Sequence, residues 1–318
     1  MGAHRPYSFR SKNERVKNGM KVIKPIPITK DKVISSTAVE DYAIWSSATT
    51  YAKGDKCVYE DKIYESLLDG NVNKTPDTNP NSWLDIGANN KMSMFDVQVN
   101  TQTKATETLT VVIKPRTSFN SLALLNIRGR SVNISVRDSE GGSVVYSQTM
   151  GLDNSSISIF DWYTYFFEDF DLRSEAVFSN LPPYNSGTIE VTLTAGSGEE
   201  VAIGNCCIGN TIEIGATQYG LNYGIRDYSI KETTEFGDTK FVERAYSKRM
   251  SPTLMLPNTR LNYISRILQE LRATPTVYIG VEAPEYQGTI VFGFLKDWNI
   301  EISYPNHSML SIEVDGLI

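Results

Sequence analysis

The stretch from about residue 94 to 214 constrains the fold most, because it consists almost entirely of short runs of alternating side chains. Leu109-Thr-Val-Val-Ile113, Val132-Asn-Ile-Ser-Val136, Val144-Val-Tyr146 and Ile189-Glu-Val-Thr-Leu193 are separated by turns such as Glu140-Gly-Gly142. A strand sends successive side chains to opposite faces, so each run can turn one face to a core and the other to water. Short strands at regular spacing, punctuated by turn signals, predict a β-sandwich over 94–214.

The rest of the chain reads differently. With 318 residues it has room for two or three domains. Residues 1–40 are basic and short of large apolar groups, and Pro25 and Pro27 bracket Ile26, so this segment is expected to be an extended arm. It is either a clamp on a neighbouring subunit or a loose terminus, with a clamp on nucleic acid ranked well below both. Residues 41–90 carry turn signals at Ala52-Lys-Gly-Asp55, Leu68-Asp-Gly-Asn71 and Thr75-Pro-Asp-Thr-Asn-Pro80. Within this span, Glu60 and Asp61 separate Cys57-Val-Tyr59 from Lys62-Ile-Tyr64 in a hairpin pattern. Trp45, Tyr51, Tyr59, Tyr64 and Trp83 supply most of the bulk of this very small β module.

Residues 215–318 predict an α+β domain. Asn258 is placed to cap a helix whose apolar stripe is Leu261, Ile264, Leu268 and Leu271, and Pro275 follows its end. Ile290, Phe292, Phe294, Trp298, Ile300 and Ile302 share one parity along a strand, as do Leu310, Ile312 and Val314 along the last one.

Composition excludes several functions. A net charge of −6 opposes a whole-protein nucleic-acid or membrane-surface binder, since both need a positive footprint. No apolar run is long enough for a membrane span, and the first residues hold no apolar secretion segment, so synthesis in the cytoplasm is expected. Cys57, Cys206 and Cys207 lack metal-site spacing and read as buried free thiols. No metal or cofactor is expected. With two histidines, His4 and His307, no catalytic triad suggests itself. Asp169 and Asp171 would share a strand face, but Arg173 occupies the next position on it, so a solvated edge is the expected role. The aromatic run Phe160-Asp-Trp-Tyr-Thr-Tyr-Phe-Phe-Glu-Asp-Phe170 could serve as a platform stacking on sugar rings, but a core strand or a strand against another subunit is the expected role.

From Trp45 to Gly87 the chain resembles the chitin-binding modules of carbohydrate-binding families 5 and 12, through Trp45, Tyr51, Gly54-Asp55, Val58-Tyr59, Tyr64, Pro76, Trp83 and Gly87. In those modules adjacent tryptophans usually follow the position of Tyr64 and stack on sugar; here Ser66-Leu67-Leu68 stands instead. The resemblance implies Tyr59, Tyr64 and Trp83 as the remaining carbohydrate-binding candidates. From Ala38 to the end, the order of segments is similar to a family of tailed-bacteriophage virion proteins. Gly215-Ala-Thr-Gln-Tyr-Gly220, Asp227-Tyr-Ser-Ile-Lys231, Phe236-Gly-Asp-Thr239, Arg249-Met250 and Arg272-Ala-Thr-Pro275 carry that likeness.

The resulting expectation is a mainly β, multi-domain chain with a chitin-binding-like module, a jelly-roll-like sandwich and a C-terminal α+β domain. It implies a non-enzymatic phage tail, collar or baseplate component, homo-oligomeric and packed against other virion proteins, with an accessory role in host-surface glycan binding. A host-surface lectin is the second reading, and a cell-wall polysaccharide hydrolase the third.

Overall fold

The computed structural model describes residues 19–152, 173–233 and 238–318. The first 18 residues, the aromatic run 160–170 and the carboxylates Asp169 and Asp171 lie outside them.

The chain is mainly β and divides among several sheets. Among the described residues the first elements are β1 (Gly19–Pro25) and β2 (Val33–Ser36), and the small module contributes β3 (Lys56–Tyr59), β4 (Lys62–Ser66) and β5 (Trp83–Ala88). Next come β6 (Thr103–Thr106), β7 (Thr108–Ile113), β8 (Ser121–Arg128), β9 (Ser131–Arg137), β10 (Val144–Gly151), β11 (Glu175–Ser179), β12 (Thr188–Thr194) and β13 (Glu200–Thr217). After these come β14 (Asn222–Asp227), β15 (Ile230–Thr233), β16 (Thr239–Val242), β17 (Tyr246–Ser251) and β18 (Thr253–Pro257). The helix α1 (Leu261–Leu271) precedes β19 (Thr276–Ile279), β20 (Ile290–Glu301) and β21 (His307–Gly316).

A five-stranded sheet, in the order β10-β9-β12-β7-β2, faces the β11-β8-β13 end of an eleven-stranded sheet. This is the sandwich. Leu109, Val111 and Ile113 of β7, Ile134 of β9 and Val191 of β12 meet Leu122 and Leu124 of β8 and Ile203 and Cys206 of β13. The alternation seen in the sequence therefore does set the buried face. The small module is inserted between β2 and β6.

The expected boundary between 214 and 215 is corrected, because β13 runs through it without a break. The first half of β13 pairs with β6 and β8, and its second half with β1 and β18. One ribbon thus serves two cores. The second core lies under α1, where Ile264, Ile267, Leu268 and Leu271 pack on Met20, Val22, Ile214, Tyr278 and Leu310.

The expected arm is also corrected over residues 19–36. β1 lies inside the long sheet, pairing Gly19↔Ala216 through Pro25↔Gly209 with β13 and Lys21↔Ile279 through Ile23↔Val277 with β19. Met20, Val22 and Ile23 are fully buried. The strand is covered on both faces, since Met20 and Val22 join the helix-side core while Ile23 joins Ala123, Cys207, Val277 and Phe292 on the other. A strand buried on both sides loses the alternation that marks a half-exposed one. Lys21 adds to the disguise. It is a buried lysine whose Nζ donates to Glu282, and Glu282 also accepts a 2.8 Å hydrogen bond from Ser179 Oγ.

Two finer expectations change. Asn258 does not cap α1, whose N-terminal residue Arg260 makes no side-chain cap. Instead its amide donates to the carbonyls of Tyr304 (2.9 Å) and Pro305 (3.0 Å), and its Oδ1 accepts from Ser308 Oγ at 2.6 Å. In β20 the single parity is broken by a register shift between Leu295 and Asp297. A bulge adds one residue to one strand, so Val291 and Leu295 before it share the helix-side core with Trp298 and Ile300 after it. Ile290 and Phe292 turn to the opposite face.

Candidate functional site

The small module closes around four buried side chains, Tyr51, Cys57, Tyr64 and Trp83, with Trp45 and Tyr59 packed against them. β3 and β4 form the expected hairpin in the register Lys56↔Glu65 to Tyr59↔Lys62, and Glu60 takes the turn at φ +56°. Trp83 is 3% exposed, stands edge-on to Tyr51 at 5.0 Å and donates its indole N–H to Lys74 O at 2.8 Å. Tyr64 is 8% exposed, and burial pushes its phenol above the usual range. Rings covered this fully cannot lie flat on a sugar. The expected contact role is therefore corrected for Tyr64 and Trp83, which hold the module together.

Tyr59 is different. It is half-buried, meets Trp45 edge-to-face at 5.6 Å, and both rings line a cleft of about 580 Å³. The opposite wall is Val33 to Ser36 of β2, the edge strand of the sandwich sheet, so the cleft belongs to the junction between module and sandwich. The hydrogen bond from Trp45 N to Val58 O (2.8 Å) and the Ile44↔Val58 bridge fix the Trp45 backbone against β3. Glu40, Asn89 and Lys91 also line it.

Glu40 Oε1 accepts from Asn89 Nδ2 at 3.1 Å and faces Lys91 Nζ at 3.9 Å. Glu40 Oε2 and the indole nitrogen of Trp45 are buried, and neither has a hydrogen-bond partner among the described residues. An unpaired buried donor or acceptor costs about 1–3 kcal/mol. Burial also raises the Glu40 carboxyl above the ordinary carboxylate range, outweighing Lys91, which pulls it down. On the rim, Lys30 Nζ and Glu60 Oε2 pair at 2.6 Å, but both side chains are more than half exposed and the pair adds little stability.

The cleft thus has aromatic walls, with a carboxylate oxygen and an indole N–H that lack partners but are buried behind its surface, and an Asn89 amide already spent on Glu40 and Met92. Trp45 and Glu40 line the cleft without having been singled out as candidate contacts in the sequence, and it is their unpartnered atoms that draw attention to them. Among the described residues no group of three or more His, Cys, Asp or Glu side chains could hold a metal ion. No helix among them is long and apolar enough to cross a membrane. The cysteines are free and buried, with Cys57 pushed up to about 11 and Cys207 to about 12 by burial.

No protein-family profile matches the chain and no curated protein does, so the phage resemblance rests on its sequence stretches alone. Among solved structures the chain is similar to a selenomethionine-labelled mutant of chitosan-binding module 1, derived from a chitosanase/glucanase of Paenibacillus sp. IK-5. The identity is 11% and the TM-score 0.25, over 37% of this chain and 82% of that one. A likeness of that extent carries no argument about this chain's fold or ligand.

Proposed function

We propose that the chain is a non-enzymatic structural component of a tailed-phage particle, and that it holds host-surface glycan in the cleft between its small module and its sandwich. The observation that carries the glycan reading is the pair of unsatisfied polar atoms, Glu40 Oε2 and Trp45 Nε1, in residues that line one ring-walled cleft. A sugar hydroxyl both donates and accepts, so neighbouring hydroxyls can satisfy a carboxylate oxygen and an indole N–H together. The faces of a sugar ring suit Trp45 and Tyr59. Both atoms are buried, so reaching them requires the Glu40 and Trp45 side chains to turn toward the opening, which couples binding to rotamer changes.

The particle reading rests on the sequence resemblance. Symmetric repetition of the chain beside other tail proteins would turn a weak site into useful avidity. The test is a glycan array probed with wild type, Trp45→Ala and Glu40→Gln. Binding by wild type and a loss of about tenfold in both variants are expected, corresponding to roughly 1.4 kcal/mol for one hydrogen bond or ring contact. A wild-type chain that binds no glycan would overturn the reading.

A further inference from the structure

A second recess lies in the C-terminal half and shares no lining residue with the first. At the end of β13 the chain turns through Gln218, Tyr219 and Gly220 into β14. Gly220 sits at φ +96°, a conformation that L side chains rarely adopt, so the turn is built on a glycine. It projects Tyr219 wholly into solvent, at 100% exposure. Tyr223 on β14 and Tyr286 on the facing loop stay 58% and 47% exposed. The three rings surround a pocket of about 250 Å³.

The walls are fixed by the fold. Thr217 Oγ1 donates to Gly280 O at 2.7 Å, tying the end of β13 to the facing loop. Thr289, 1% exposed, donates to Tyr286 O at 2.7 Å and accepts from Val281 N at 3.2 Å. Tyr223 packs on the backbone at Gly288, where an added Cβ would stand 2.6 Å from the ring. The floor and the Tyr223 wall are therefore preformed, as small-molecule sites usually are, while the Tyr219 ring stands free at the rim.

Its chemistry narrows the ligand. No charged side chain lines it among the described residues, in a chain that is 21% charged. A charged ligand would lose water there and gain no counter-charge. The hydroxyls of Tyr219, Tyr223 and Tyr286 take no partner among the described residues and so remain free for a ligand, as does the acceptor oxygen of Gln218, whose amide is turned to Ala216 O at 3.2 Å. Aromatic faces edged with neutral hydroxyls and an amide match a molecule with apolar ring faces and hydroxyl edges.

We infer that this recess binds a neutral saccharide, one ring deep. Its volume lies just below the range of about 300–1,000 Å³ typical of small-molecule pockets, which favours a single residue or chain end over a long oligosaccharide.

Saturation-transfer NMR with neutral hexoses, glucuronic acid and glucosamine tests this on the full chain. Trp45→Ala, in which the cleft of the proposed function is disabled, should show transfer to a neutral hexose and none to the two charged sugars. Tyr219→Ala, which removes a fully exposed ring and leaves the fold intact, should weaken transfer about fivefold. Running every arm, Tyr219→Ala included, in the Trp45→Ala background separates this signal from the cleft of the proposed function. No neutral sugar bound at about 10 mM, weaker than most isolated sites, would overturn the assignment. So would equal binding of charged sugars, or an unchanged signal in Tyr219→Ala. Occupancy of the recess by a segment of a second copy, seen as a concentration-dependent dimer that Tyr219→Ala abolishes, would overturn it as well.

Discussion

In the small module the buried side chains Tyr51, Cys57, Tyr64 and Trp83 all fall between residues 51 and 83, and its three strands follow one another in sequence. In the long sheet Val22 sits between Ile212 of β13 and Tyr278 of β19, partners from far along the chain. The first region closes through local hairpins; the second closes only when distant segments meet, which costs more chain entropy before any contact repays it. Their reserves differ as well. The module relies on a few large rings, whereas the sheet spreads its apolar contacts over two cores and both faces. A lesion in the module should therefore stay local, and one in β1 should spread.

Val22→Asp should have the largest effect. Val22 is fully buried, and an unpaired carboxylate in that core costs upward of about 4 kcal/mol. Loss of the main cooperative transition, followed by near-UV circular dichroism, is the expected outcome. A protein that still melted as one sharp event near the wild-type temperature would show β1 to be dispensable, as a loose arm would be.

Trp83→Ala should come next, destabilising the module by about 3–5 kcal/mol while leaving the sandwich and the α1 core folded. Two thermal transitions in place of one, with only the weaker moved, would confirm the local character. If both moved together, the contrast between the regions would fail.

The smallest effect concerns the junction of the two regions. Burial holds the folded Glu40 carboxyl above its ordinary value, so the folded state keeps its proton to higher pH than the unfolded chain does. The folded state then binds more protons across that interval, and stability falls as pH rises from the ordinary carboxylate range to the raised value. Glu40→Gln should remove this component and flatten the slope of melting temperature against pH just above the ordinary carboxylate range. An unchanged slope would mean that Glu40 is well solvated and that the cleft holds no strained carboxylate.

The comparison also explains which parts could be read in advance. The mainly β character, the hairpin at Cys57–Tyr64, the stripe of α1 and the inward set Leu310, Ile312 and Val314 depend on near neighbours in sequence, and they stand as expected. The candidate site was legible only in part. Tyr59 does line a cavity, but Tyr64 and Trp83 are core, because a ring-rich short sequence looks the same whether its rings face a sugar or one another. Trp45 and Glu40 acquire their meaning from β2 across the cleft, a partner that spacing does not reveal.

Element types follow from the residues alone, since period-two and helical spacing are local consequences of backbone geometry. Long-range packing is what makes a basic, proline-flanked segment a central strand, lets β13 serve two cores, and reverses the parity of β20 through a bulge after Leu295. Each of these depends on what covers the second face of a strand. A buried Lys21 is stable only because Glu282, contributed from the other end of the chain, lies beside it.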